Sequence, residues 1–242
     1  MAKKTLNYFD KNNMKFSIII PVYNEKKFIL EVLKRVNNQK KNFDIEIIVS
    51  DDGSTDGTKK ILEENKVLYD DLINSNVNLG KGSAIKKAME KINGDYVLVQ
   101  DADLEYNPND FAKLFEPAMN CNADIVYGSR FIGGNYVRLH FFWHYLANKI
   151  LTLFSNIFTN LNMTDMETGY KLIRTSALKS INIQEKSFGI EPEITIKLAK
   201  KKLIFYEVPI SYEGRSYEEG KKIRLKDAFF AVFCILKYSI FK

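Results

Sequence analysis

Two cysteines in 242 residues, Cys121 and Cys234, are too few for a disulfide framework and lack the paired spacing of a zinc site. That scarcity fits a reducing, cytoplasmic setting. A secretory signal is missing as well: residues 1–15 are polar, without the apolar core of such a peptide, and read as a loose leader. No run reaches the roughly 20 apolar residues that a spanning helix needs. Internal repeats and low-complexity tracts are also absent, which argues against a solenoid or a long linker.

What is present is ordinary for a folded chain: 45% hydrophobic and 27% charged residues argue against disorder. The formal net charge of +6 suits nucleic acid, an anionic membrane surface or phosphorylated substrates, and does not choose among them. No RNP-type aromatic sequence or other nucleic-acid motif accompanies it, so a nucleic-acid partner is not expected. Two segments are apolar without being long enough to span a bilayer. Residues 141–161 are interrupted by His144, Asn148, Lys149 and Asn156, and residues 228–241 are apolar almost all round. Both fit core helices. The second, aromatic-rich and flanked by Lys237 and Lys242, equally fits a helix lying in a membrane interface.

From residue 16 to 127, β-rich runs alternate with helical stripes. Strands are expected at 16–20, 45–50, 95–100 and 123–129, with helices between them; one carries Phe28, Ile29, Val32, Leu33 and Val36 at helical spacing. This pattern implies βαβ units, a mainly parallel sheet and an α/β class. After about Arg138 the alternation fades, and the second half reads as additions to the core domain. Ligands of such sheets bind beyond the carboxyl ends of the strands. Those ends carry residues 21–25 (PVYNE), 51–54 (DDGS), 101–103 (DAD) and 128–130 (GSR), a largely acidic set that folding alone does not require. Like charges gathered there repel unless a cation or a donor-rich ligand joins them.

Asp101-Ala102-Asp103 offers carboxylate oxygens suited to a hard divalent ion, with Glu105 close behind. A turn would explain the same residues, since Asp is common where strands end. In residues 47–58 (IIVSDDGSTDGT), Thr55 and Asp56 suit helix capping while Asp51 is free to accept from a base or ribose. Residues 76–84 (NVNLGKGSA) fail the phosphate-loop template, yet glycines and Lys81 opening a helix favour an anion. Residues 212–227 gather Arg215, Lys221, Lys222, Arg224 and Lys226 among glycines. A solvated basic face or a phosphate-gripping loop would both look like this.

Taken in order, the segments IIIPVYNE, IIVSDDGSTDGT, NLGKGSA, DADLEYNP, YGSRF, DMETGYKLIR, FGIEPEI and GRSYEEGKKI resemble the family 2 glycosyltransferases, in their dolichol-phosphate mannose synthase-like branch. The resemblance covers residues 16 to about 226. It implies a glycosyltransferase A-type fold, Rossmann-like, acting on a nucleotide-activated sugar with Mg²⁺ or Mn²⁺. It assigns Pro21, Tyr23, Glu25, Val49 and Asp51 to the nucleoside, and Lys81, Asp101 and Ala102 to the rest of the donor. Asp103 is the foremost metal ligand, with Asp101 and Glu105 beside it; position 105 is often Gln in mannose synthases, so Glu105 departs from that pattern. Arg130, Lys171, Arg215 and Lys221 match cations near the donor or acceptor phosphates, and Asp103, Arg130, Arg215 and Lys221 are the catalytic set.

The expected activity is inverting transfer of a hexose from a GDP-mannose- or UDP-glucose-type donor to a polyprenyl or dolichyl phosphate. A phosphate monoester with a second pKa of about 6 is already an oxyanion at neutral pH, so no strong base is needed. A saccharide hydroxyl acceptor, the alternative, would need one, and Asp165 or Glu191 are the candidates. A non-catalytic nucleotide-sugar or RNA-binding module is the alternative of another class. The expected organisation is a leader (1–15), a catalytic domain (16–226) and an apolar C-terminal helix (227–242) making peripheral contact with the cytoplasmic face of a membrane.

Overall fold

Phe16, Ile18 and Ile20 alternate with Ser17 and Ile19 along β1 (Lys15–Val22), and all five side chains are buried. A strand buried on both faces needs helices on both sides. The computed structural model, which describes residues 14–133, 138, 141–215 and 225–240, supplies them. Phe16, Ile18 and Ile20 pack with Val32 and Leu33 of α1 (Ile29–Asn38) and with Phe111, Leu114 and Phe115 of α4 (Phe111–Cys121). Ile19 packs with Ile85 and Ala88 of α3 (Lys81–Ala88) and with Ile190 and Ile194 of α7 (Ile190–Ala199). Truncating Ile18 to Ala would cost ~2–5 kcal/mol by the usual cavity argument.

Among the described residues seven strands form one sheet in the order β3-β2-β1-β4-β6-β5-β7. The others are β2 (Asp44–Asp51), β3 (Asp71–Asn74), β4 (Tyr96–Val99), β5 (Ile125–Ser129), β6 (Lys171–Arg174) and β7 (Phe205–Pro209). All pairings are parallel except those of β6, which runs antiparallel between β4 and β5. The second half is therefore not an addition to a finished core: β6 completes the middle of the sheet. Its reversed direction brings the segment before it, residues 165–170, to the edge where β1, β2, β4 and β5 end.

Local signals place the remaining helices. Gly57, not Asp56, is the N-cap of α2 (Thr58–Glu64); Asp56, one residue before it, accepts from the Thr58 amide through Oδ1 at 3.0 Å. Helix α6 (Thr175–Lys179) follows β6 directly. Helices α5 (Phe142–Thr159) and α8 (Leu225–Ile240) meet α7 in a separate small core of Leu151, Ile196, Ala231, Cys234, Ile235 and Tyr238. The C-terminal segment thus has one core face, while Phe229, Phe233 and Ile240 stay exposed. No helix among the described residues is long and apolar enough to cross a membrane. Both cysteines are free thiols.

Candidate active site

The strand ends surround one cavity of about 1250 Å³. Pro21, Tyr23, Glu25, Asp52, Lys81, Asp101, Ala102, Asp103, Glu105, Arg130 and Arg215 line it, together with Glu167 and Glu191. Phe141, Phe142 and Trp143 of the α5 entrance and Ala228 and Ala231 of α8 line it as well. An acidic sheet edge and an apolar helical wall therefore share one space.

Asp52, rather than its neighbour Asp51, faces this space. Asp52 Oδ2 accepts from the amides of Leu79 (2.9 Å) and Gly80 (2.6 Å), while Oδ1 is buried without a partner. The anion expected at the start of α3 is thus supplied by the protein's own carboxylate. The glycines there serve a different purpose: a Cβ on Gly80 or Gly82 would collide with the carbonyls of Lys186 or Glu185. They let the loop before α7 pass close to α3. Asp51 is buried and accepts from the Ser54 amide at 3.2 Å, and Val49 is wholly within the core. Neither lines the cavity, so both stand behind the nucleoside site expected from the sequence rather than in it. Sequence order alone gave no reason to prefer Asp52 over Asp51; the two Leu79–Gly80 amides decide it.

Lys81 Nζ bridges Asp101 Oδ1 (2.8 Å) and Glu191 Oε1 (2.9 Å), and its ammonium is held well above the ordinary lysine range by those two carboxylates against the cost of burial. Asp101 fits its place because Gly169 has no side chain: a Cβ there would lie 2.7 Å from Asp101 Oδ2.

Arg215 reaches across the acidic edge to three carboxylates. Its Nη2 lies 2.7 Å from Asp103 Oδ2, its Nε 3.3 Å from Glu105 Oε1 and its Nη1 3.6 Å from Glu25 Oε2. Glu105 is also the anchor of the backbone that carries Arg215. Its Oε1 accepts from the Arg215 amide (2.9 Å) and its Oε2 from the Tyr212 hydroxyl (2.8 Å), while its carbonyl accepts from the Glu213 amide (2.9 Å). Both Glu105 oxygens, expected from the sequence to ligate metal, are thereby committed to the loop. Burial, then the charges of Asp101 and Glu105, push the Asp103 carboxyl up to about 7, with Arg215 opposing them.

Other expected cations are placed differently. Arg130 lines the cavity but directs its fork into Asp165, Nε to Oδ2 and Nη2 to Oδ1 both at 2.7 Å, with a further bond to Asn148 at 3.2 Å. Asp165 is fully buried in that pair and does not line the cavity, so it is removed as a candidate base. Lys171 is buried, donates to the Thr168 carbonyl and sits 4.9 Å from the centre of the Tyr127 ring. It does not line the cavity, which corrects its assignment to an acceptor phosphate. Lys221 lies outside the described residues, as does most of the basic run.

Among the described residues no three acidic, histidine or cysteine side chains stand together as a ready metal site. The donor chemistry nevertheless fits Mg²⁺ or Mn²⁺. Asp103 already faces one cation, the Arg215 guanidinium, with Asp101 beside it, and such ions often take only one or two carboxylates plus substrate phosphate.

Residues 17–181 match the family model described as glycosyl transferase family 2. A dolichol-phosphate mannosyltransferase of Pyrococcus furiosus is 31% identical over 211 residues, covering 86% of this chain and 59% of the relative, so the chain spans well under two thirds of that protein. An uncharacterized protein of Methanocaldococcus jannaschii is 32% identical over 221 residues, covering 85% of this chain and 93% of the relative. Among solved structures, glucosyl-3-phosphoglycerate synthase of Mycobacterium tuberculosis, in complex with Mn²⁺, UDP and phosphoglyceric acid, superposes with a TM-score of 0.75 at 18% identity. That match covers 96% of this chain and 81% of the other, and the shared fold is the glycosyltransferase A type.

Proposed function

The chain belongs to glycosyl transferase family 2, and we propose that within it the protein transfers a hexose, with inversion, from a nucleotide sugar to a polyprenyl phosphate at the cytoplasmic face of a membrane. The observation that carries this is the cavity itself: carboxylates and cations of the sheet edge share it with Phe141, Phe142 and Trp143. That aromatic wall, exposed on α5, suits the apolar tail of a lipid acceptor. The similarity to the P. furiosus mannosyltransferase supports the same acceptor class.

Tyr23 and Pro21 flank the nucleoside, and Asp103, helped by Asp101, would hold a divalent ion; Mn²⁺ with UDP in the M. tuberculosis synthase supports both a nucleotide sugar and a metal. Once bound, that ion neutralises the departing diphosphate. Lys81 holds Asp101 in place and adds positive charge beside it. Arg215 offers a bidentate fork to the acceptor phosphate, whose oxyanion is the nucleophile. Catalysis then rests on placement and charge stabilisation, and no side chain has to remove a proton. Arg130, tied to Asp165, orients the cavity wall through its fixed guanidinium plane. Catalysis by residues 16–226 and membrane contact through the exposed faces of α5 and α8 complete the reading.

The test incubates the protein with Mg²⁺ or Mn²⁺, labelled nucleotide sugars, and undecaprenyl or dolichyl phosphate. Label is expected in the lipid phase, abolished by chelation and reduced by about two to three orders of magnitude in Asp103→Asn. Label passing only to water-soluble acceptors would refute the lipid assignment. One observation favours a hydroxyl acceptor as the second reading: Glu191 lines the cavity with Oε2 unpartnered, as a general base would require.

A further inference from the structure

Among the described residues three cavity-lining carboxylates keep a buried oxygen with no donor: Asp52, already held through its other oxygen by the Leu79 and Gly80 amides, and the two acids Glu167 and Glu191. Glu167 Oε1 and Glu191 Oε2 make no hydrogen bond, and both residues line the cavity. Buried acceptors are almost always paired, so each such oxygen calls for an explanation. Glu191 is only 9% exposed, and its other oxygen is held by Lys81 at 2.9 Å. Its place is fixed by the first turn of α7, where Glu193 accepts from the Gln184 and Glu185 amides at 2.7 Å. Glu167 stands between two anchored neighbours. Asp165 is locked to Arg130, and the Thr168 hydroxyl donates to the Gly128 carbonyl. The backbone around Glu167 is therefore held while Oε1 meets no donor among the described residues.

The missing partner must bring donors and no negative charge. A phosphate would be repelled by two carboxylates. A further cation has little call here, because Lys81 and Lys171 already lie close enough to act on this pair electrostatically. Burial, followed by the charge of Glu191, pushes Glu167 up to about 7, so the surroundings disfavour further negative charge. Neutral hydroxyl groups meet every condition.

We infer that Glu167 and Glu191 receive hydroxyls of the hexose being transferred, and so select which sugar the donor carries. This rests on the nucleotide-sugar reading of the same cavity. Lys81 joins the two regions, since one ammonium touches both Asp101 of the diphosphate edge and Glu191 of the sugar wall. The cavity then separates its tasks: Asp103 and Arg215 meet charge, while Glu167 and Glu191 read hydroxyls. A site that pairs a substrate hydroxyl with a buried polar group rejects analogues lacking it far more strongly than an apolar pocket can.

The experiment uses titration calorimetry with Mn²⁺ on the full chain, Glu167→Gln and Glu191→Gln. UDP and GDP are compared with UDP-glucose, GDP-mannose and their deoxy-sugar analogues. Glu167→Gln should weaken the preferred nucleotide hexose by about 10-fold or more, the range of one charge-assisted hydrogen bond. The bare diphosphate should change less than about 2-fold, which also shows that the variant folds. Discrimination against the matching deoxy analogue should collapse in parallel. Equal weakening of diphosphate and nucleotide hexose, or no change in either variant, would overturn the assignment. So would a wild-type protein indifferent to every deoxy substitution. Lipid acceptor is absent throughout, so failure of the lipid assay leaves this result standing.

Discussion

Arg215 and Asp103 face each other across the acidic edge with Nη2 2.7 Å from Oδ2, and this contact occupies the carboxylate assigned to the metal. Metal and guanidinium therefore compete for one oxygen. If Asp103 held a divalent ion, the Arg215 fork would be free to pair with an acceptor phosphate. Arg215→Ala should remove the guanidinium that Asp103, Glu105 and Glu25 share and lower metal-free stability by ~1–3 kcal/mol, about 2–10 °C in Tm. The same change removes the competitor, so Mn²⁺ should raise the Tm of the variant more than that of the wild type. A smaller Mn²⁺-induced rise in the variant, read by calorimetric scanning, would count against the exchange.

Glu105 offers a second test of what the sequence suggested. Its oxygens are bonded to the Tyr212 hydroxyl and to the Arg215 amide and Nε. If it anchors this loop, Glu105→Gln should leave Mn²⁺ affinity within about 2-fold while raising KM for lipid phosphate by about 10-fold, the effect of one weakened charged hydrogen bond. A metal ligand would behave otherwise, costing metal affinity itself. Manganese binding measured by electron paramagnetic resonance separates the outcomes.

Much of this site was legible because parallel strands must deliver their carboxyl ends to one edge. An apolar run ending in Asp101 or before Glu25 can be placed without coordinates. The wall that carries Glu167 was not legible, because it depends on β6. Four residues, Lys171–Arg174, give too short a pattern to announce a central antiparallel strand, and their pairing with β4 joins positions far apart in sequence. Without β6 nothing brings Glu167 to the edge. Lys171 misled for the same reason: a cation in a motif suggests phosphate, but alternation along β6 sends it under α7 with Ile173. Glu105 was legible as an oxygen donor, whereas its partner 110 residues away was not.

Stability should depend on pH through the buried Glu167–Lys171 pair. The Glu167 carboxyl, near 7 when folded against about 4.3 when exposed, keeps a proton that the unfolded chain releases. Raising pH from about 4 to 7 therefore costs stability, and the loss is complete above 7. Lys171, near 8 when folded against about 10.4, contributes the opposite slope, with stability returning as pH rises from 8 toward 10. Glu167→Gln removes the first slope, so the variant should gain on the wild type by ~2 kcal/mol between pH 4.5 and 7.5, roughly 4–8 °C in Tm. Parallel Tm–pH curves for the two proteins would show that Glu167 is not titrating in this range.

Membrane contact can be read from a probe that the chain already carries. Trp143 is its single tryptophan, 74% exposed in the first turn of α5. Phe142 is beside it, and Phe229 and Phe233 project from α8, which packs on α5. Aromatic rings of this kind favour the boundary between headgroups and acyl chains. The net charge of +6 adds attraction to anionic lipid that salt should weaken. Adding anionic vesicles is therefore expected to shift Trp143 emission to the blue and to shield it from an aqueous quencher, with neutral vesicles less effective. Each exposed Phe contributes roughly 1–2 kcal/mol when buried in lipid, so Phe229→Ser with Phe233→Ser should weaken vesicle binding by about 10-fold or more. Nucleotide binding should survive that double change, because neither phenylalanine lines the cavity. Trp143 emission that ignores vesicles of every composition would remove the membrane from the mechanism.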